Sequence, residues 1–526
     1  MAAEQETTAN SRLSRQLGGT EQTWCKAVPG GTGITVSALL FSNPPEFSVI
    51  SDAVGKLQTA HPILSSQIRH DPATGFHSYV TPATPHLKIQ SFDSPSTAEI
   101  LRELPNPDSV SDFHLIVEHE LNRNDWQSPN PESHVDSDVF FAGVYALPGD
   151  KLAVALRLHT SASDFATAWT LCMELRALLG EEGIIQRELE CETKIAPAME
   201  DCIPEEKLRK PFWARGIDMF GYSMNSLRLS NLNFEDTESP RASNFVTLQM
   251  NKEDTHRILN GCKARGIKLS GLLSAAAMIS AYSSKGLLDY QQEKYAVVTL
   301  INCRSILDPA ISSNRAGFYH SGILNTHDIR GGEELWELAG RAYTAFADAK
   351  NNNKHFTDLA DLNFLMSKAI ENPGLTPSSS LRTSLIAVFE ETLVDDHGPH
   401  GYGVEDYAVC SSAHGVGPNI AIFNTIRGGE LDCTCLYPSP LFSRKRMLEL
   451  IDGMKRILVE ANISPIIIAG TCSISEVILY NQNVSSHVSV QEGKRNCQPF
   501  AMQPHATSMF LIYDFFLHLL RPCKCL

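Results

Sequence analysis

An α/β fold in two lobes is what this sequence predicts, and three observations predict it. The chain has 526 residues, too many for one compact core, so two domain-sized units are expected. In its first half an alternating strand runs almost directly into an amphipathic helix. Leu152, Val154, Leu156 and Leu158 share one face of the strand, and Phe165, Ala168, Trp169, Cys172, Leu175, Leu178 and Leu179 form the helical stripe. In its second half, residues 295–301 are a continuous apolar run, as in a sheet covered on both faces.

The elements follow in order. Residues 1–17 are polar and read as a disordered leader, with structure beginning near Leu17-Gly18-Gly19. A β-rich stretch at 34–41 stops at the turn Asn43-Pro44-Pro45. Val49, Ala53, Val54 and Leu57 then recur at helical spacing up to the break at His61-Pro62. The 152–158 strand carries Lys151, Arg157 and His159 on its other face, so it should be half-buried, and Gly180 can close the helix behind it. These elements make a first lobe at 18–187. Residues 188–244 lose periodicity, contain Pro197, Pro204 and Pro211, and read as a partly packed crossover. The second lobe, 245–475, opens with a strand at 245–250 and a helix at 252–262. An Ala- and Ser-rich helix at 269–282 should be buried. Strands at 420–426 and 431–437 flank Arg427-Gly428-Gly429-Glu430 as a hairpin. Ser443 can cap a helix whose stripe is Met447, Leu450, Ile451, Met454 and Leu458. Residues 476–526 fit no element. Their apolar run at 509–520 is broken by Asp514 and His518, and they read as a poorly ordered or appended tail.

Composition narrows the function. With 44 basic and 60 acidic residues the net charge is −16, which disfavours nucleic acid and anionic membranes as partners but leaves room for a local basic pocket. The 13 cysteines include only two close pairs, Cys433 with Cys435 and Cys523 with Cys525, and neither is CxxC. Irregular spacing of this kind fits reduced thiols in a cytoplasmic protein and no zinc or other metal site. Glu4 and Glu6 without an apolar run give no signal peptide, Ala2 excludes myristoylation, and no apolar stretch reaches membrane-spanning length. The final Cys523-Lys524-Cys525-Leu526 satisfies a C-a-a-X box formally. Lys524 is a poor aliphatic there and no polybasic run precedes it, so membrane anchoring is not expected.

The chemistry concentrates at Leu158-His159-Thr160-Ser161-Ala162-Ser163-Asp164-Phe165, where strand turns into helix. This junction resembles the HHxxxDG motif of condensation domains and the HxxxDG motif of alcohol acetyltransferases and plant BAHD acyltransferases. The resemblance extends in order over roughly residues 20–470. It takes in Ala60-His61-Pro62-Ile63-Leu64, the helix beginning at Gly266-Ile267-Lys268, then Asn302-Cys303-Arg304 followed by Gly317-Phe318, and the strand and helix of 431–458. It implies the two-lobed, chloramphenicol-acetyltransferase-like fold of the CoA-dependent acyltransferases: mixed sheets covered by helices, with an interlobe channel. The implied function is movement of an acyl group from a CoA or carrier-protein thioester to a hydroxyl or amine of a small-molecule acceptor. The thioester would be a cosubstrate, no cofactor would be bound, and a carrier protein is a possible partner. The Asp, here Asp164, would be structural and tied to an arginine, Arg304. Gly317, Ser412 and His414 complete the binding residues implied.

The motif departs from the family's pattern at its chemical end. In strict register the general base stands four residues before the Asp, and four before Asp164 is Thr160. His159 then matches the preceding, non-catalytic histidine, and the strand's period of two points adjacent side chains to opposite faces. A threonine hydroxyl is no base near neutral pH. Phe165 replaces the motif's glycine and adds bulk. A loop longer by one residue would bring His159 into play, and His320 is a second substitute. Otherwise His159 is a strand-end histidine bonded in the core. Asp164 also reads as an ordinary helix N-cap. His414-Gly415-Val416-Gly417 has the look of a phosphate-cradling loop, but a strand follows it, so a turn beside the channel is the better reading. The rival to acyl transfer is therefore an inactive relative that binds a ligand or partner.

Overall fold

A computed structural model describes residues 14–460, apart from 83–86, 105–109, 128–135, 181–193, 212, 217–220, 222–228, 377–378 and 396–402. The expected tail and its C-terminal cysteines lie outside the described residues, as do residues 1–13. Ser14–Gln16, which the sequence suggests is disordered, is a short strand paired antiparallel with His77–Val80.

Two large mixed sheets carry the fold. The first has five strands in the order Val404–Ala413, Thr32–Phe41, Lys151–His159, Phe140–Leu147 and Ile89–Phe92. Every residue of Thr32–Phe41 is buried. The second sheet has seven strands, with His320–Ile329, Glu293–Asn302, Arg382–Phe389, Gly417–Arg427, Glu430–Ser439 and Ala242–Met250 in line and Leu393–Asp395 added beside Gly417–Arg427. Its middle strands pair in parallel, and the hairpin turn at Gly428 and Gly429 has φ of +55° and +88°, which two adjacent glycines adopt without strain. A third, small sheet joins Ser14–Gln16, His77–Val80, Gln67–His70 and Ser137–Asp138.

One strand changes sides. Val404–Ala413 comes from the second half of the sequence, yet it pairs antiparallel with Thr32–Phe41 at the edge of the first sheet. The chain then turns at His414 and enters the second sheet as Gly417–Arg427. The two sheets are thus joined through a continuous segment that belongs to both.

The central strand Lys151–His159 is more buried than its sequence suggests. Arg157 and His159 are each 2% exposed, because the helix Asp112–Asn122 covers the face expected to meet solvent. That helix supplies Glu120, whose carboxylate takes the Arg157 Nε–H at 2.7 Å. Helix Phe165–Leu179 lies on the opposite face, where Ser37 donates to the Ala168 carbonyl at 2.8 Å. In the second half, helix Leu269–Ser283 is buried along almost its whole length. The final helix Arg444–Glu460 buries the predicted stripe of Met447, Leu450, Ile451, Met454 and Leu458. Of the crossover residues, Ala196, Met199, Cys202 and Ile203 pack with Tyr319, Phe346 and Phe356. No described helix is long and apolar enough to cross a membrane.

Candidate active site

The junction after Lys151–His159 is a single 3-10 turn, Thr160–Ala162, and Asp164 then caps the helix Phe165–Leu179. Its carboxylate is saturated. Oδ1 accepts from the Thr167 backbone N–H at 2.8 Å and Oδ2 from the Tyr319 backbone N–H at 2.8 Å. Arg304 adds a two-pronged pair at 2.8 and 3.1 Å, and His320 Nδ1 lies 2.9 Å from Oδ2. Burial alone would raise the Asp164 carboxyl, but Arg304 and His320 outweigh it and hold it well below the usual carboxylate range. The arginine is itself locked: it donates to Thr167 Oγ1 at 2.8 Å and to the carbonyls of Arg315 and Gly317. Gly317 sits at φ +154°, and a Cβ there would stand 2.7 Å from the Tyr319 ring, so only glycine fits. Cap and ion pair therefore coexist on one carboxylate, which joins the first-lobe helix to the turn at Arg304 and the strand at His320.

The other end of the motif has different chemistry. Thr160 Oγ1 shares a hydrogen bond with Thr35 Oγ1 at 2.8 Å, and Ser411 Oγ stands 3.2 Å from Thr35 Oγ1 and 3.4 Å from Thr160 Oγ1. Three hydroxyls from three adjacent segments thus meet where the sequence comparison expects a base. His159 points away from them. Its ring meets Trp126 edge-on at 5.3 Å, on the side of Arg157 and the helix Asp112–Asn122. Its Nδ1 accepts from the Ser161 N–H at 3.1 Å and is 2.8 Å from Ser161 Oγ, which in turn accepts from Tyr79 O–H at 2.8 Å. Those donors assign the neutral ring's proton to Nε2. Burial, with a smaller push from His77, lowers its pKa to about 3, so the imidazole stays neutral throughout the physiological range.

Phe165, in the motif's glycine position, packs against Phe389 at 4.5 Å and Phe423 at 5.2 Å, both on second-sheet strands. His320 also meets Phe389 edge-on. The extra ring thus joins the aromatic contact between the two sheets.

The remaining predicted residues separate from this cluster. Ser412 Oγ accepts the Ile34 N–H at 2.9 Å, an edge-strand bond, while its neighbour Ser411 is the one that reaches Thr160. A register shift between Ser411 and Ala413 makes the choice between the two serines unreadable from alternation. Thr35 carried no motif signal either; with Thr32 and Ser37 it is one of three hydroxyl residues inside a largely apolar strand. His414 Nδ1 lies 3.0 Å from Ser243 Oγ, and burial, then Arg382 and Arg241, lower its pKa to about 4. The loop around it faces its oxygens inward: Arg382 collects the carbonyls of Ser380, Ala413, Gly415 and Pro418. A phosphate cradle needs converging N–H groups, so this loop is a carbonyl cage around an arginine and no anion site.

No family model matches the sequence, and no curated protein matches it. Solved structures do match. The trichothecene 15-O-acetyltransferase TRI3 of Fusarium sporotrichioides aligns at a TM-score of 0.63 and 12% identity, over 85% of this chain and 95% of that one. Polyketide synthase associated protein 5 of Mycobacterium tuberculosis aligns at 0.59 and 14%, over 85% and 98%. The first condensation domain of the calcium-dependent antibiotic synthetase aligns at 0.56 and 16%, over 87% and 98%. At such identities the likeness is one of fold: this chain has the two-lobed α/β fold of the CoA-dependent acyltransferases and condensation domains.

Proposed function

We propose that this protein is a binding member of the acyltransferase fold, one that receives an acyl thioester or its acceptor without a general base at the motif. The observation that carries this reading is the split at the strand end. Thr160 lies in a cluster of hydroxyls, while His159 lies among first-lobe residues with its Nδ1 occupied and its proton affinity depressed. General-base catalysis needs a group that is basic near neutral pH and within reach of the acceptor proton, and neither side chain meets both conditions. The ligand would be a CoA or carrier-protein thioester, with a small hydroxyl or amine compound as the other candidate. A soluble, cytoplasmic setting suits the reduced cysteines of the sequence.

One observation favours the second reading, acyl transfer itself. The Asp164–Arg304 pair and its glycine turn at Gly317 are intact, so the loop has the support a catalytic residue would need. The two readings part in a single experiment: purified protein with a panel of acyl-CoA thioesters and hydroxyl or amine acceptors, with melting followed in parallel with and without free CoA. Stabilisation without turnover is expected. Multiple turnover that disappears in a well-folded His159→Ala variant would sink the binding reading.

A further inference from the structure

The hydroxyl cluster does not sit alone. Trp24 of the helix Gly19–Ala27, Met366 and Ile370 of the helix Leu359–Glu371, and Leu381 pack round Ala27, Ala369 and Val416, and all four remain partly exposed. This apolar surface ends at the motif. A Cβ on Gly33, whose φ is +93°, would stand 2.9 Å from the Trp24 ring and 3.0 Å from Thr160 Oγ1. The indole and the threonine hydroxyl therefore both border Gly33, where a side chain would collide with each. The Trp24 and Phe318 rings lie 5.5 Å apart, centre to centre, and Phe318 follows the glycine whose carbonyl holds Arg304 and Thr167.

Leu381 adds an independent sign. Its φ is +59°, a region that glycine and asparagine enter readily and a branched apolar residue does not. The fold holds it there: its N–H donates to Thr376 Oγ1 at 2.8 Å and its carbonyl accepts from the Gly417 N–H at 3.0 Å. An unfavourable backbone thus keeps an aliphatic side chain half-exposed on the same cluster that Trp24 packs against. Apolar walls closed at one end by a few polar groups are the usual make-up of a small-molecule seat, and a flexible Met adapts such a wall to its guest.

We propose that Trp24, Met366, Ile370 and Leu381 seat the aliphatic chain of an acyl group whose polar end reaches Thr160, Thr35 and Ser411. This rests on the reading that the motif site receives an acyl compound, and it names the class: medium-chain aliphatic acyl groups over acetyl.

The test uses the full chain and calorimetric titration with CoA and its acetyl, butanoyl and octanoyl thioesters. Octan-1-ol serves as a second probe, read by melting temperature. Affinity should climb along the series by about tenfold for every two methylenes buried. Leu381→Asn keeps the left-handed backbone, so its melting temperature should hold while the climb flattens. Trp24→Ala should flatten it as well. Phe364→Ser, exposed on the same helix as Met366, should leave the climb intact. Equal affinity for acetyl and octanoyl thioesters, or an undiminished climb in Leu381→Asn, overturns the seat. Should no CoA compound bind, octan-1-ol decides. Stabilisation that Leu381→Asn abolishes keeps the seat and removes the thioester reading, and absent stabilisation removes the seat.

Discussion

The two ends of the strand–turn–helix junction, four residues apart, have been built on opposite principles. At Asp164 both oxygens are used, by Thr167, Tyr319 and the two prongs of Arg304, and a charge is kept ionised in the interior. At Thr160 there is no charge, only hydroxyls in contact with one another, and the nearest imidazole is turned aside and kept neutral. The contrast teaches that the supporting and chemical halves of such a motif are separable. A carboxylate that ties helix, turn and strand together is needed for folding whatever the site does. A base is needed only for turnover.

The largest effect should come from breaking the ionic end. Asp164→Ala leaves the Arg304 guanidinium buried at 2% exposure without its counter-charge, and losing one partner of a buried pair costs about 3–5 kcal/mol. Removing both charges, in Asp164→Ala with Arg304→Met, should recover part of that loss. Chemical denaturation of the three proteins measures it, and an unchanged midpoint in the single variant would contradict the tether. Next comes the hydroxyl end. Thr160→His supplies an imidazole whose ordinary pKa is near 6.5. Acyl transfer from a CoA thioester should then rise on the order of 10²-fold, the lower range for a positioned base. A rate equal to the unmodified protein's, in a variant that still melts cooperatively, would show that more than the base is missing.

His159→Ala should cost about 2 kcal/mol through lost packing on Trp126, with no change in whatever turnover exists. The reverse pattern, full stability and lost turnover, would place His159 in the chemistry. The last effect is a dependence on pH, shared among several side chains. His159 titrates near 3, and His414 and His327 near 4, all pushed down chiefly by burial. The unfolded chain takes up these protons below about pH 6.5, so the folded form loses stability as pH falls from there towards 4, by about 1.4 kcal/mol per unit for each histidine. Asp164 plays no part in that window, because its contribution persists until pH drops below about 3.9, where the unfolded carboxyl protonates. Urea midpoints between pH 7 and 4.5 should fall, and fall less steeply in His159→Gln.

What the sequence disclosed depended on the distance over which each feature is decided. The glycine hairpin at 427–430, the Ala-rich buried helix and the stripe of the last helix are local and were readable from period and turn chemistry. The Asp164–Arg304 contact was readable only through the resemblance, since no spacing links residues 140 apart. The burial of Arg157 was not readable, because Glu120 and the helix that covers the strand lie upstream with nothing to announce the pairing. Ser411 was missed in favour of Ser412 because a register shift at the strand's end defeats alternation. Trp24 gave no warning of its place beside Thr160. The glycine that permits it, Gly33, looks like any other turn residue until the two chains of contact are seen together.

The strand that crosses between the sheets sets an order of events during synthesis. Thr32–Phe41 is buried in full, and among the described residues one of its two edges pairs with Val404–Ala413. A ribosome delivers the first strand long before the second. Until residue 413 has cleared the exit tunnel, a nascent chain carries a ten-residue apolar strand with an open edge, the surface most prone to pair with a stranger. Fragments ending near residue 240 would keep that edge permanently, so they should aggregate more readily than the whole chain. Joining two sheets by a shared segment thus leaves the first of them with an unpaired edge until most of the chain has been made.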